Sequence, residues 1–119
     1  SQADAEGAAL FDNLGCATCH RPALPTPEGP VQAYTDLLLH DVGTGGEGAP
    51  TEGAATDREF RTPPLWGIAA TAPYMHDGRA TTLEAAIRAH GGEATEAATA
   101  FDALPPESRN RLVDFLRSR

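Results

Sequence analysis

The chain has 119 residues, which predicts one domain spanning 1–119 with a small core. Four Phe, two Tyr and one Trp give that core little aromatic surface, and 12 Gly with 10 Pro predict long loops. We therefore expect the fold to need additional stabilisation from a metal, a disulfide or a buried cofactor. Seventeen Asp and Glu against nine Arg give a net charge of −8, which argues against nucleic acid and anionic membranes as partners and suits a basic protein partner.

The first half of the chain is predicted to hold one helix and then a long irregular region. Residues 1–14 predict a short helix whose apolar residues share one face, with Gly15 as its stop signal. Four prolines break any periodicity within 21–63, so we expect irregular structure there. The composition of Gly43–Gly53 predicts a flexible loop within this region.

The second half of the chain predicts two helices. Residues 81–90 predict a helix that starts with a capping box formed by Thr81 and Glu84. The spacing of its apolar residues places His90 on the buried stripe. A last helix is expected from Pro105–Pro106 onward, because proline is tolerated in a first turn. Its predicted apolar face consists of Leu112, Val113, Phe115 and Leu116.

Cys16, Cys19 and His20 form a C-x-x-C-H motif, the sequence typical of c-type haem attachment. The motif predicts one haem c, bound covalently through the two cysteines, with His20 as the proximal ligand of the iron. The residues alone leave three alternatives: a thioredoxin-like redox pair, a structural disulfide, and a zinc site completed by two other histidines. The absence of a βαβ pattern and of paired zinc-ligand spacing favours haem.

The second axial ligand must come from a segment that folds over the opposite face of the haem. The candidates are His40, Met75, His76 and His90. His90 qualifies because it lies on the inward stripe of a helix, and Met75 qualifies as the only thioether. Each of these residues except His90 also has an ordinary role that would compete with iron ligation. A lone Met commonly packs in a core, and His76 can bond the main chain or a haem propionate. His40 can be a core histidine whose hydrogen bonds are satisfied.

Three segments of the chain together resemble a known family. They are Tyr34–Gly43 (YTDLLLHDVG), Phe60–Ile68 (FRTPPLWGI) and Ala72–Ala94 (APYMHDGRATTLEAAIRAHGGEA). They are similar to the C-terminal haem domain of the bacterial dihaem cytochrome c peroxidase superfamily, which includes MauG-like proteins. The branch that fits best is the dihaem oxidoreductases, once called thiol oxidoreductases. The resemblance runs from about Gly7 to the C-terminus.

The resemblance implies an all-α cytochrome c fold, with few short helices and long loops wrapped around one covalently bound haem. It also implies that the second axial ligand stands fourteen residues after His76, which is the position of His90 and not of Met75. The peroxidases carry a Met at this position and MauG-like members a Tyr. Peroxide chemistry in the family occurs at a second haem that this sequence does not encode, so the activity is not carried over. A calcium site is not expected.

The resulting hypothesis is electron transfer by a six-coordinate haem held by His20 and His90, with a redox protein as partner. Arg61, Trp66 and Arg79 are candidate partners of the haem propionates because they lie beside the motif segments.

The alternatives to simple electron transfer are a haem peroxidase or oxidoreductase with an open or displaceable sixth site, and the electron-transfer half of a dihaem enzyme. His76 or His40 would then serve as a distal acid or base. Because haem c is attached outside the bacterial cytoplasm, we expect a periplasmic or other extracytoplasmic location. No signal peptide and no transmembrane helix are predicted in this sequence.

Overall fold

The computed structural model describes residues 1–46 and 51–119. Its α-helices and strands, in chain order, are α1 (Gln2–Asn13), β1 (Leu39–His40), β2 (Phe60–Arg61), α2 (Leu83–Arg88), α3 (Thr95–Ala103) and α4 (Pro106–Arg117). Short 3₁₀ turns are formed by Cys16–Thr18, Ile68–Ala70 and Gly92–Ala94. The strands pair antiparallel over two residues each, so the fold is all-α apart from this small ladder, as expected.

Helix α1 starts and stops where the sequence predicts. The Ser1 hydroxyl accepts a hydrogen bond from the Asp4 N–H at 3.2 Å, which satisfies one of the main-chain donors of the first turn. Gly15, which follows the cap residue Leu14, has φ of 92°, a left-handed conformation that glycine adopts without strain. The chain therefore turns sharply into the C-x-x-C-H segment at the end of α1.

Helices α1 and α4 pack against each other and form the centre of the core. Phe11 of α1 lies against Phe115 of α4, with ring centroids 5.6 Å apart. Gly7 allows the close approach, because a Cβ at this position would overlap Phe115 Cβ and lie 2.9 Å from the Arg111 carbonyl oxygen. The predicted apolar face of α4 is confirmed, since all four of its named residues are buried.

Gly7→Ala tests how tightly these two helices pack. The added methyl gains up to about 1 kcal/mol of helix propensity, but forcing extra volume into a packed contact costs about 1–3 kcal/mol. Because the added Cβ would overlap Phe115 Cβ, the cost falls at the upper end, about 2–3 kcal/mol. We therefore expect a net loss of roughly 1–2 kcal/mol in the free energy of unfolding, measured by denaturant titration of the haem-loaded protein. Ala8→Leu is the control, because Ala8 is exposed on the same helix. Equal stability of Gly7→Ala and the parent chain would contradict the packing described.

Helix α2 is shorter than the sequence predicts, and the predicted capping box of Thr81 and Glu84 is wrong. The N-cap is Thr82, whose hydroxyl accepts from Ala85 N–H at 3.0 Å. With Thr82 as cap, Ala85 occupies the position of the reciprocating Glu, and Glu84 instead lies 3.5 Å from the Arg88 guanidinium. Helix α2 ends at Arg88, so His90 stands just after the helix and not within it.

Helix α3 was not predicted from the sequence, whereas α4 begins at Pro106 as expected. The irregular region 21–63 holds the only β-pairing of named strands in the described residues, with Leu39 opposite Arg61. The predicted loop Gly43–Gly53 is in part outside the described residues, at 47–50. None of the helices in the described residues combines the length and the hydropathy that a membrane span requires.

Candidate haem site

The C-x-x-C-H segment follows α1 as a tight turn. Cys16–Thr18 forms a 3₁₀ turn, and the His20 N–H donates to the Cys16 carbonyl at 2.9 Å. The two cysteines are free thiols in the structure, and no disulfide joins them. The sequence thus brings both sulfurs and the His20 imidazole into one compact segment at the end of α1.

The thiols lack the electrostatics of a redox-active pair. Burial raises the pKa of Cys16 to about 11 and also raises the pKa of Cys19, where Asp36 and Glu93 add repulsion. A thioredoxin-like pair needs one cysteine with a lowered pKa, because the thiolate is the nucleophile. The raised pKa values of both cysteines therefore disfavour the thioredoxin-like alternative.

The His20 imidazole is fixed in one tautomer. Its Nδ1 lies 2.9 Å from the Tyr34 carbonyl oxygen. Because a carbonyl oxygen only accepts, Nδ1 carries the proton and Nε2 keeps the lone pair that a metal ligand requires. Burial lowers the pKa of His20, which favours the neutral, ligating form. Tyr34 is therefore a supporting residue that the motif alone did not reveal.

The His90 imidazole is oriented in the same way and faces His20. Its Nδ1 donates to the Ala86 carbonyl at 2.7 Å, one helical turn back. The ring centroids of His20 and His90 are 6.5 Å apart, with their planes at 62°. Two metal–nitrogen bonds of about 2 Å, each with roughly 1 Å more to the ring centre, require a separation of about 6 Å. The separation of the two rings is therefore close to that of two imidazoles that share one metal ion.

His40 has both ring nitrogens engaged by carboxylates. Nε2 lies 2.7 Å from Asp36 Oδ2, and Nδ1 lies 3.0 Å from Glu93 Oε1. The hydrogen bonds that His40 donates to Glu93 and Asp36 raise its pKa. Although burial of the Asp36 carboxyl opposes ionisation, its bonds from His40 and from the Leu38 N–H lower its pKa. We call Asp36, His40 and Glu93 the His40 cluster; the sequence singled out neither of the two carboxylates.

The His40 cluster predicts a pH-dependent stability. Because folding raises the pKa of His40 above its usual 6.5, its stabilisation is complete below that pH and is lost as the pH rises through the raised value. The lowered pKa values of Asp36 and Glu93 act oppositely, and their stabilisation is lost as the pH falls below 3.8 and 4.5.

We expect the free energy of unfolding to fall from about pH 6.5 towards alkaline pH in the parent chain. His40→Gln should lose most of this slope, because no imidazole then titrates in the cluster. Denaturant unfolding at several pH values measures the effect. An equal slope in both proteins would show that His40 does not carry it.

His76 and Arg79 converge on the main chain of Thr44. The His76 Nε2 donates to the Thr44 carbonyl at 2.8 Å, and Arg79 donates to the same oxygen at 2.9 Å while it pairs with Asp77. The His76 ring also stacks on Phe60 at 3.7 Å. The Thr44 hydroxyl is buried and has no hydrogen-bond partner within the described residues. An acceptor or donor from a bound group would satisfy it.

The other predicted site residues, Arg61, Trp66 and Met75, are exposed or half-buried. Trp66 is 56% exposed, and its indole N–H donates to the Gln32 carbonyl at 2.7 Å. Arg61 lies exposed on β2. Met75 is half-buried in a turn that the Gly78 N–H closes onto its carbonyl, with φ of 69°. The roles of Arg61, Trp66 and Met75 at a haem stay predictions.

A zinc site finds little support in the arrangement of ligand atoms. Among the described residues, the group of three potential ligands close enough to share an ion is Cys19, Asp36 and His40. It does not include Cys16, His76 or His90, so the predicted alternative with both cysteines and two histidines is not assembled. The His40 nitrogens in this group already bond carboxylates.

A helical fold with a C-x-x-C-H turn after its first helix and an opposing histidine defines a cytochrome c-like haem domain. The whole chain, residues 1–119, matches the family described as "Di-haem oxidoreductase, putative peroxidase". The chain therefore belongs to the dihaem oxidoreductase family, as the resemblance of its sequence segments implied.

Curated relatives agree with this assignment. The chain is 34% identical to methylamine utilization protein MauG of Methylorubrum extorquens, covering 98% of this chain and 34% of that protein. It is 30% identical to cytochrome c551 peroxidase of Pseudomonas aeruginosa, covering 95% of this chain and 32% of that protein. The chain thus spans about a third of the length of these relatives.

A solved structure shares the fold. A chain of hydrazine synthase from Kuenenia stuttgartiensis superposes with a TM-score of 0.72 at 25% sequence identity. The match covers all of this chain and 46% of the other. The relatives and the family together place the chain among haem oxidoreductases.

Proposed function

We propose that this chain is an electron-transfer domain with one haem c, attached through Cys16 and Cys19, whose iron is held by His20 and His90. The observation that carries the proposal is the pair of facing imidazoles 6.5 Å apart, each with its Nδ1 bonded to a main-chain carbonyl. The haem supplies a one-electron redox centre. The protein supplies the ligands, their orientation and the burial that sets the potential.

The two supporting carbonyls restrict the chemistry at the iron. The Tyr34 and Ala86 carbonyls hold both rings in the tautomer that presents Nε2, so neither ring needs to rearrange when the iron changes oxidation state. If His20 and His90 both held the iron, it would have no free position for a substrate. Electron transfer is the activity that remains for such a centre.

The Thr44 region supports a role in binding a haem carboxylate. The Thr44 hydroxyl is buried and lacks a hydrogen-bond partner among the described residues, and the carbonyl of the same residue accepts from His76 and Arg79. A propionate would supply the missing acceptor, which supports His76 and Arg79 as propionate partners. Arg61 remains a candidate for the second propionate by its place in the sequence, whereas Trp66 would bind one only if its indole N–H left the Gln32 carbonyl.

The runner-up function is a haem peroxidase or oxidoreductase with a displaceable sixth ligand, or the electron-transfer half of a dihaem enzyme. The family description and the names of the relatives favour this alternative. It requires His90 to leave, or a second haem outside this chain. We propose a redox protein with a basic docking surface as partner, because the net charge is −8, and an extracytoplasmic location.

Electron paramagnetic resonance and near-infrared spectra of the ferric, haem-loaded protein test the proposal. We expect a low-spin six-coordinate signal without a thioether charge-transfer band. The same signal with that band would assign Met75 as the ligand in place of His90. A high-spin signal would show an open site and favour the peroxidase alternative.

A further inference from the structure

The segment Tyr34–Gly43 bonds the His20 imidazole at one end and the main chain next to His90 at the other. At one end, the Tyr34 carbonyl holds His20 Nδ1 at 2.9 Å. At the other end, the Val42 carbonyl accepts from the Gly91 N–H at 2.8 Å, directly after His90. Two of the segments that carry the family resemblance are therefore in contact, and their contact lies next to one of the two proposed ligands.

The turn after His90 is docked on this segment by its main chain. The Glu93 N–H donates to the Asp41 carbonyl at 2.8 Å, and the Asp41 N–H donates to Glu93 Oε2 at 2.6 Å. Gly92 has φ of 51°, and a Cβ there would overlap the Asp41 carbonyl oxygen. The two backbones thus touch directly, and the Glu93 carboxylate adds one side-chain hydrogen bond to their contact.

Glu93 is held by His40. The Glu93 side chain is 55% exposed and would lose conformational entropy on being fixed, so it needs a partner. His40 supplies one at 3.0 Å, while its other nitrogen is anchored at 2.7 Å to Asp36, whose side chain is 6% exposed. Hydrogen bonds between charged groups are stronger than neutral ones.

We propose that His40 is a positioning residue for His90: the His40 cluster fixes the turn Gly91–Glu93 and thereby keeps the His90 imidazole facing His20. The inference rests on the proposed function, because it assigns the element that keeps the sixth position closed to external ligands. Without the cluster, His90 would be held less firmly, and a small external ligand could replace it at the sixth position. His40 itself touches neither the iron nor a substrate.

The affinity of the ferric, haem-loaded protein for cyanide, titrated by absorption, tests the inference. We expect His40→Ala to raise the affinity about tenfold, because an external ligand then displaces a less firmly held imidazole. Asp36→Asn preserves shape and volume, so it keeps the test valid if His40→Ala does not fold, and we expect a rise of about threefold. Arg88→Gln is the matched control, because it breaks exposed ion pairs to Glu84 and Asp102 two residues before His90.

The outcomes separate this inference from the proposed function. A wild-type protein without the low-spin signature of two imidazoles would overturn the proposed function first and this inference with it. If that signature is present, unchanged cyanide affinity in both His40→Ala and Asp36→Asn would overturn only the role of His40. An equal rise in Arg88→Gln would also overturn it, since general loosening of the turn would then explain the effect.

Discussion

Replacing both motif cysteines, Cys16→Ser and Cys19→Ser, is expected to abolish covalent haem attachment. Thioether bonds survive denaturation, whereas a haem held only by iron ligands and packing is extracted when the protein unfolds. We expect haem staining on a denaturing gel to fall from full to none, and intact mass to match the polypeptide alone. Each single variant should retain one bond and an intermediate yield.

The same double variant should lose much of its folded structure. The thiols lie in the turn that follows α1, and Cys16 packs against the core. A haem attached here would add iron–imidazole bonds and apolar contacts that form only in the folded chain, so removing it removes that stabilisation. Ala17→Ser is the control, because it changes a residue between the cysteines and keeps the motif. Full haem staining in the double variant would refute the attachment.

His90→Ala is expected to open the sixth coordination position. The ferric spectrum should shift from low spin to high spin or to a water-bound form. Cyanide affinity should rise by on the order of a hundredfold, because an external ligand no longer competes with an imidazole of high effective concentration. The reduction potential should also change, since axial ligands set it. Absorption titration and electron paramagnetic resonance measure these effects.

Met75→Leu is the matched control for the ligand assignment. It keeps an apolar side chain of similar volume in the half-buried turn, so packing is preserved. We expect its spectrum and cyanide affinity to equal those of the parent chain. Opening of the site by Met75→Leu, together with an unchanged His90→Ala protein, would move the second ligand to Met75.

The terminal helices were predictable because their signals are local. Ser1, Gly15 and Pro106 act through hydrogen bonds and dihedral angles of their immediate neighbours, so their effects can be read from spacing. The start of α2 was misplaced because Thr81 and Thr82 are both competent caps. Tertiary packing, which buries Leu83, selects the second of them. Helix α3 is rich in Ala and Thr, so its apolar residues show only weak helical periodicity.

The site was predictable only as far as its motifs reach. Cys16, Cys19 and His20 stand together in sequence, and the family resemblance, counted from His76, implies His90 as the second ligand. The supports of the ligands come from distant parts of the chain: Tyr34 is 14 residues from His20, and Glu93 is 53 residues from His40. No local pattern encodes such pairings. An acidic chain has too many carboxylates for the sequence to show which of them bond His40.

The packing of α1 on α4 also orders the events by which the protein matures. Gly7 and Phe11 meet residues of α4 that lie about a hundred positions later in the chain, so the core cannot close until α4 reaches α1. Contacts this far apart in sequence are among the slowest to form. During that interval we expect the cysteines to be accessible on an open chain, so a haem-attaching enzyme would meet the motif before α4 docks over its neighbourhood.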